Sequence, residues 1–264
     1  MELFNVIKPS GNRVPIVISS PHSGTFFPED IKRRIKPDLA AKPDDTDWFI
    51  DTLYDFAPAL GITMITANYS RWVIDLNRDP KQAPLYSDGR VITGLVPTTD
   101  FNGLPLYDYG VPDDAEIEER VSRYFVPYHS KIDELLNELH SEFGKVLLWD
   151  AHSIRQFVPG IRSEKFPDLI LGDNDLNSAS SAIIATAFET LNKGGYKLEH
   201  NNPFKGGYIT RSFGNPGGNF HALQLEMAKI NYMDDSETAY NKERADKMRT
   251  LLQSTFENLI LALT

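Results

Sequence analysis

Two short segments of this chain each carry an apolar, β-branched or aromatic run directly into a histidine-bearing loop. They are Val14-Pro-Ile-Val-Ile-Ser-Ser-Pro-His22-Ser-Gly24 and Lys145-Val-Leu-Leu-Trp-Asp-Ala-His152-Ser153. The first run, stopped by Pro21 and Gly24, reads as a buried strand over residues 14–20. In open α/β sheets the loops at the carboxyl ends of strands diverge and form the ligand crevice. Two imidazoles delivered to one crevice, with carboxylates close by in sequence, make a metal site that needs a third ligand.

The rest of the chain alternates strand and helix patterns. Residues 46–60 read as an amphipathic helix closed by Gly61, residues 62–67 as a second strand and residues 72–76 as a possible third. Periodicity is lost over residues 80–112, the pattern of a long ordered loop, and such loops are often functional. A helical pattern then runs from Asp113 to about Phe143, bent at Pro127 and ended by Gly144, and a strand to Trp149 follows. Residues 169–171 are a short strand and residues 178–192 an alanine-rich helix capped near Ser178. Residues 196–200, 207–212 and 221–227 read as three late strands, and a final amphipathic helix is expected from Ser236. This order argues for a three-layer α/β/α sandwich on a mixed sheet. With no repeat and no linker, residues 1–264 are expected to form one domain.

Composition narrows the function classes. The formal charge is −10, with no run of five or six like charges, so nucleic acid is not an expected partner. Apolar runs fall far short of the roughly 20 residues that span a bilayer. Met1-Glu-Leu-Phe-Asn lacks the pattern of a secretory signal, which makes a cytoplasmic address the expectation. With no cysteine, thiolate chemistry, disulfides and Cys-ligated metals are excluded, and any metal must be held by His, Asp and Glu.

The third ligand should be a carboxylate, and Asp44-Asp45-Thr46-Asp47-Trp48 stands at the start of the first helical pattern. Aspartate is also a favoured N-cap, so at least one of these carboxylates is expected only to cap. Asp47 lies inside the helix start with Asp51 one turn later, and a cap cannot explain both. Two histidines, one carboxylate and a water are typical of hydrolytic zinc sites. In Ala222-Leu-Gln-Leu-Glu-Met227, alternation puts Ala222, Gln224 and Glu226 on one strand face. A buried glutamate there needs a partner or a function, and general base is the natural one. Arg71, Arg78 and Arg211 are candidate carboxylate clamps, one of them expected to pair with Asp75. His129 and His140 read as packed or solvated helix residues, and His221 as a residue lining the site. No Gly-x-Ser-x-Gly elbow or phosphate-binding loop is present.

Over most of its length the chain resembles the N-formylglutamate amidohydrolases, enzymes of histidine degradation. The likeness rests on Ser-Pro-His22-Ser-Gly, Asp45-Thr-Asp47-Trp, Leu53-Tyr-Asp-Phe-Ala57, Tyr69-Ser-Arg71, Val-Ile-Asp-Leu-Asn77-Arg78, Phe101-Asn-Gly-Leu-Pro-Leu-Tyr107, Pro127-Tyr-His129, Trp149-Asp-Ala-His152-Ser-Ile-Arg155, Phe204-Lys-Gly-Gly-Tyr-Ile-Thr-Arg211 and Gln224-Leu-Glu226. The family is in turn similar to zinc carboxypeptidases in fold and metal-site layout. The resemblance implies His22, Asp47 and His152 as ligands of one divalent ion, zinc before others, and Glu226 as the catalytic carboxylate. It also implies that Asn77-Arg78 matches the carboxypeptidase Asn-Arg pair that grips a substrate α-carboxylate.

The implied reaction is hydrolysis of N-formyl-L-glutamate, a small N-acyl amino acid, to formate and glutamate. Three segments depart from the family pattern: Phe49 stands where a histidine is usual, and Leu85–Arg90 and Gly160–Asp168 differ in sequence. These segments are expected to shape the acyl and side-chain pockets. A deacylase or carboxypeptidase acting on another N-acyl amino acid or small peptide would use the same site. A metal-binding or sensing protein on a retired hydrolase fold would have no need of Glu226 or of Asn77-Arg78.

Overall fold

The strands at the middle of the sheet are apolar on both faces because helices cover both. In the computed structural model, which describes residues 1–81 and 93–263, the elements in chain order are β1 (Phe4–Ile7), β2 (Ile16–Ser20), α1 (Glu29–Lys32), α2 (Pro37–Ala41), α3 (Ile50–Leu53), β3 (Thr63–Ala67), α4 (Asp114–Arg120), α5 (Val126–Phe143), β4 (Val146–Ile154), β5 (Leu169–Gly172), α6 (Ser181–Asn192), β6 (Leu198–His200), α7 (Tyr208–Phe213), β7 (Phe220–Ala228) and α8 (Lys242–Leu263). The strands form a seven-stranded sheet in the order β1-β3-β2-β4-β7-β5-β6. Strands β3, β2, β4 and β7 run parallel, while β1 and β5 join antiparallel to β3 and β7. The mixed α/β sheet is the one the sequence pattern predicts.

Alternation divides the core. Ile16, Ile18, Leu147, Trp149, Leu223 and Leu225 pack with Ile183 and Ala187 of α6 and Leu252 and Phe256 of α8. Val17, Leu148 and Ala222 face the opposite way, onto Ile132, Leu136 and Leu139 of α5. Buried polar tips are paired across these layers: the Trp149 indole N–H donates to the Tyr54 hydroxyl at 3.1 Å, and Ser19 Oγ lies 3.0 Å from Tyr128 Oη. The chain steps from β2 to β3 on one side and later to β4 on the other. The carboxyl ends of β2 and β4 therefore flank a topological switch point, where open sheets bind ligands.

Several elements differ from the sequence pattern, each for a traceable reason. The helix expected over 46–60 reduces to α3 and a 3-10 turn, Ala57–Leu60, because Phe49 is left-handed (φ 64°) and Pro58 interrupts the ladder. Residues 72–76 are not a strand. The carbonyls of Val73 and Leu76 accept from the side chains of Arg120 (2.8 Å) and His129 (2.8 Å), so no strand pairs with them. Residues 208–213 form α7 instead of a strand. The last helix starts at Lys242 because the Asp234 carboxylate accepts the amides of Thr238 and Ala239 and holds a turn there. Between α4 and α5 lies a π-helical turn, Val121–Phe125, closed by the Val126 amide on the Val121 carbonyl directly before Pro127, which has no amide to donate. No helix among the described residues is long and apolar enough to cross a membrane.

The loop after β2 lies flush against the segment after β3. A Cβ on Gly24 would stand 2.4 Å from the Tyr69 carbonyl oxygen, whereas nothing lies within 4 Å of a Cβ on Gly11. Gly24→Ala is therefore expected to cost about 1–3 kcal/mol in urea unfolding, the usual penalty of overpacking. Gly11→Ala should stay within about 0.5 kcal/mol, as surface changes do. Equal stability of the two variants would contradict the close approach.

Candidate active site

Three strand ends supply the site. His22 follows β2, Asp150 and His152 end β4, and Gln224 and Glu226 end β7. Period-two alternation puts Asp150, His152, Gln224 and Glu226 on one face, and the parallel β4–β7 register sets His152 beside Glu226 and Asp150 beside Gln224. The His22 carbonyl accepts the Asp47 amide at 2.9 Å, which ties the acidic segment to the β2 loop. His22, Asp47 and His152 are 2%, 1% and 3% exposed, and one ligand atom from each lies within 4.8 Å of the others.

The acidic segment sorts itself by partner. Asp47 Oδ2 lies 3.0 Å from His152 Nδ1 and 3.7 Å from His22 Nδ1. Asp45 instead accepts the Trp72 indole N–H at 2.9 Å and the Phe101 amide at 3.2 Å. Asp44 is gripped by Arg155, and Asp51 accepts the amide of Thr52 on the surface. Asp47 is the carboxylate that geometry groups with the two histidines. Lys229, just beyond β7, is buried and donates to the Asp44 carbonyl at 3.0 Å, holding this segment from behind.

Each imidazole turns Nδ1 toward Asp47 and Nε2 toward a second carboxylate. His22 Nε2 is 2.7 Å from Asp75 Oδ1, and His152 Nε2 is 3.1 Å from Asp150 Oδ2. Metal-bound histidines are commonly oriented in this way. Burial, together with the nearby Arg71 charge, pushes the His22 imidazole down to about 4, so it is neutral near pH 7. Its Nδ1 is buried with no hydrogen-bond partner among the described residues. An orphaned, neutral imidazole nitrogen facing a buried carboxylate fits a divalent cation. His152 titrates well above its ordinary value: burial opposes this, but Asp150 and Asp47 overcome it. The excess negative charge that holds a proton there would equally favour a cation. Burial pushes the Glu226 carboxyl up to about 7, and Gln224 Nε2 donates to its Oε2 at 3.2 Å.

The arginines differ in freedom. Arg71 is buried, pairs with Asp75 and lies over the Phe101 ring at 4.7 Å. Its Nε has no hydrogen-bond partner among the described residues. Arg78 Nε donates to the Thr93 carbonyl at 3.1 Å and lies 3.8 Å from Asp75 Oδ2. Arg211, on α7, donates to the Gly206 carbonyl at 2.9 Å. The carboxamide of Asn77 points inward, to Asp150 and His152.

Asp150 is an orienting group that no motif singles out, although its place two residues before His152 puts it on the same strand face. His221 does not line the site. It faces the opposite way from Glu226 and its Nδ1 accepts the Ser180 amide at 3.3 Å. His129 is packed, stacked on Phe125 with ring centroids 3.9 Å apart. Phe49 packs edge-on against Tyr240, and Arg162 is engaged by Glu164 and the Phe166 ring. The Leu85–Arg90 segment lies outside the described residues.

The chain is similar to known proteins along nearly its whole length. The sequence model of the N-formylglutamate amidohydrolase family matches residues 14–233. An N-formylglutamate deformylase of Pseudomonas aeruginosa is 42% identical over 251 residues, covering 94% of this chain and 93% of its own. A second, from Pseudomonas putida, is 38% identical over 253 residues, with coverage of 94% and 93%. Among solved structures, an N-formylglutamate amidohydrolase from Ralstonia eutropha superposes with a TM-score of 0.81 at 28% identity, covering 98% of this chain and 97% of that one. With a buried His-Asp-His cluster beside an in-register glutamate, and with this likeness along nearly its whole length, the chain belongs to the N-formylglutamate amidohydrolase family.

Proposed function

We propose that residues 1–264 act as one catalytic unit that hydrolyses N-formyl-L-glutamate to formate and L-glutamate. The observation that carries the reading is the β4–β7 register, which sets Glu226 next to His152 of the His22–Asp47–His152 cluster. Family membership and the activity named for the Pseudomonas relatives support the same substrate. His22, Asp47 and His152 would hold a divalent ion, with zinc the best match to two imidazoles and one carboxylate. When bound, such an ion supplies Lewis-acid polarisation of the formyl carbonyl and lowers the pKa of water.

The remaining work belongs to the chain's own groups. Glu226 accepts a proton from the attacking water, whose oxygen adds to the formyl carbon. The C–N bond then breaks as Glu226 returns that proton to the departing nitrogen, so formate and the free amine leave. A carboxyl held near neutrality by burial suits both transfers. Gln224 limits the swing of the Glu226 carboxylate. The substrate carries two carboxylates, and the protein as a whole is acidic, so recognition must be local. Arg78 is assigned to the α-carboxylate, with Arg211 or Arg71 the cationic group for the side-chain carboxylate.

Metal content tests the cluster. His22→Ala, His152→Ala and Asp47→Ala should each lose tight zinc binding, measured by elemental analysis after gel filtration, while Asp45→Ala retains it. Full zinc in the Asp47 variant would refute the ligand set.

Glu226→Gln keeps shape and reach but removes the proton acceptor. Zinc content should hold while kcat falls by at least about 10². Loss of zinc with this change would instead make Glu226 a ligand.

Arg78→Ala should cost about 2–5 kcal/mol in kcat/KM on N-formylglutamate, the range for a buried carboxylate deprived of its partner. N-formylglutamine and N-formylleucine should be poor substrates of the unaltered enzyme. Turnover of N-formylleucine equal to that of N-formylglutamate would turn the assignment toward a general N-acyl amino acid amidohydrolase.

A further inference from the structure

The carboxamide of Asn77 is spoken for on every side. The Ile209 amide donates to Asn77 Oδ1 at 2.7 Å, which fixes which end of the carboxamide is oxygen. The NH2 end must then face the opposite way, where Nδ2 lies 3.0 Å from Asp150 Oδ2 and 2.9 Å from His152 Nε2. If Nδ1 of His152 is the ligand atom, its ring proton sits on Nε2, and Nδ2 and Nε2 then both donate to one acceptor, Asp150 Oδ2. The main chain adds a further tie, as the Tyr208 amide donates to the Asn77 carbonyl at 3.3 Å. Asn77 is 3% exposed. The backbone closes over it as well: a Cβ on Gly207 would stand 2.3 Å from Asn77 Nδ2, so only glycine admits the carboxamide at that point. A side chain so enclosed is closed off from a substrate carboxylate by the groups packed around it.

We infer that Asn77 is a positioning residue: it holds the Asp150 carboxylate against His152 Nε2 and so keeps His152 Nδ1 turned toward Asp47, with α7 as the fixed support. The support is rigid in a specific sense. The amides of Gly207 and Ile209, one residue before α7 and one residue into it, fix two carboxamides: Ile209 takes Asn77, and Gly207 donates to Gln224 Oε1 at 2.7 Å. The inference rests on the proposed metal site, because orienting His152 matters only if Nδ1 is a ligand atom. Groups that orient a metal-bound imidazole typically contribute 10–100-fold to metal affinity.

The test separates this role from substrate binding. Zinc affinity of the full-length protein would be measured by chelator competition for the unaltered chain and for Asn77→Ala, Asn77→Asp, Asp150→Asn and the double variant Asn77→Ala/Asp150→Asn. Circular dichroism would confirm that each is folded. Both Asn77 variants should bind zinc roughly 10–100-fold more weakly. The Asp variant keeps the acceptor for Ile209 but sets a second carboxylate against Asp150. KM measured at saturating zinc should stay within about twofold. The double variant should lose little more than either single one, since the two act through one chain of contacts. Unchanged zinc affinity with a KM raised about tenfold or more would overturn the inference and return Asn77 to the substrate. Should Asn77→Ala not fold, Asp150→Asn with unchanged zinc affinity would overturn it equally. Failure of the unaltered protein to bind zinc would remove the metal site itself, and that outcome is distinct from the others.

Discussion

Negative charge buried at the carboxyl edge of the sheet is the constraint around which the rest is arranged. Asp47, Asp75 and Asp150 are all buried, and Arg71 is the buried guanidinium that shares their space. Carboxylates taken out of water are costly unless paired and hydrogen-bonded. The fold answers with two imidazoles, each between a pair of these carboxylates, and with backbone and side-chain donors that converge from loops rather than from the sheet. The balance still leaves the cluster anionic, and a small dication is the simplest species that completes it. The same electrostatics explain why His22 and His152 titrate in opposite directions though their rings lie 4.8 Å apart. His22 feels Arg71 after burial has acted, while His152 feels Asp150 and Asp47.

What was legible in the sequence is what depends on local pattern. The strands leading to His22 and His152 are continuous apolar runs with abrupt ends, and burial on both faces demands that. Alternation around Glu226 was enough to separate its face from that of Leu225 and Met227. Asp47 could not be told from Asp45 by spacing, because the choice depends on Trp72, whose indole removes Asp45 from the contest. The segments 72–76 and 207–212 carry a strand pattern without being strands for a related reason. Their apolar residues do face the core, but their backbone groups bond to Arg120, His129, Gln224 and Asn77, which lie far away in sequence. Strand propensity records fit to a half-buried pleated surface, and irregular chain packed on a core satisfies the same preference.

The division of labour between regular and irregular structure follows. Strands deliver Asp150, His152, Gln224 and Glu226 at fixed spacing, where sheet geometry controls distance. Loops and short helices deliver Asp47, Asp75, Asn77 and Arg78, where side-chain hydrogen bonds control direction. Sites built on rigid elements hold their geometry better than sites built on loops. Here the loop residues are made rigid by being buried and bonded to one another. Arg71 on Asp75, the Trp72 indole on Asp45 and the His22 carbonyl on the Asp47 amide are examples.

The pairing of His152 with Glu226 across β4 and β7 has a consequence for how this protein can change over time. Substituting a residue in β7 alters one side chain, but inserting or deleting one shifts the strand by a single step. Every side chain beyond that point then turns to the opposite face. Met227 or Leu225 would take the place of Glu226, and a carboxylate would be driven into the apolar layer against α6 and α8. Length in this strand is thus as tightly constrained by the pleat as the position of its glutamate. Divergence in substrate choice is left to the loops that begin where the strands stop.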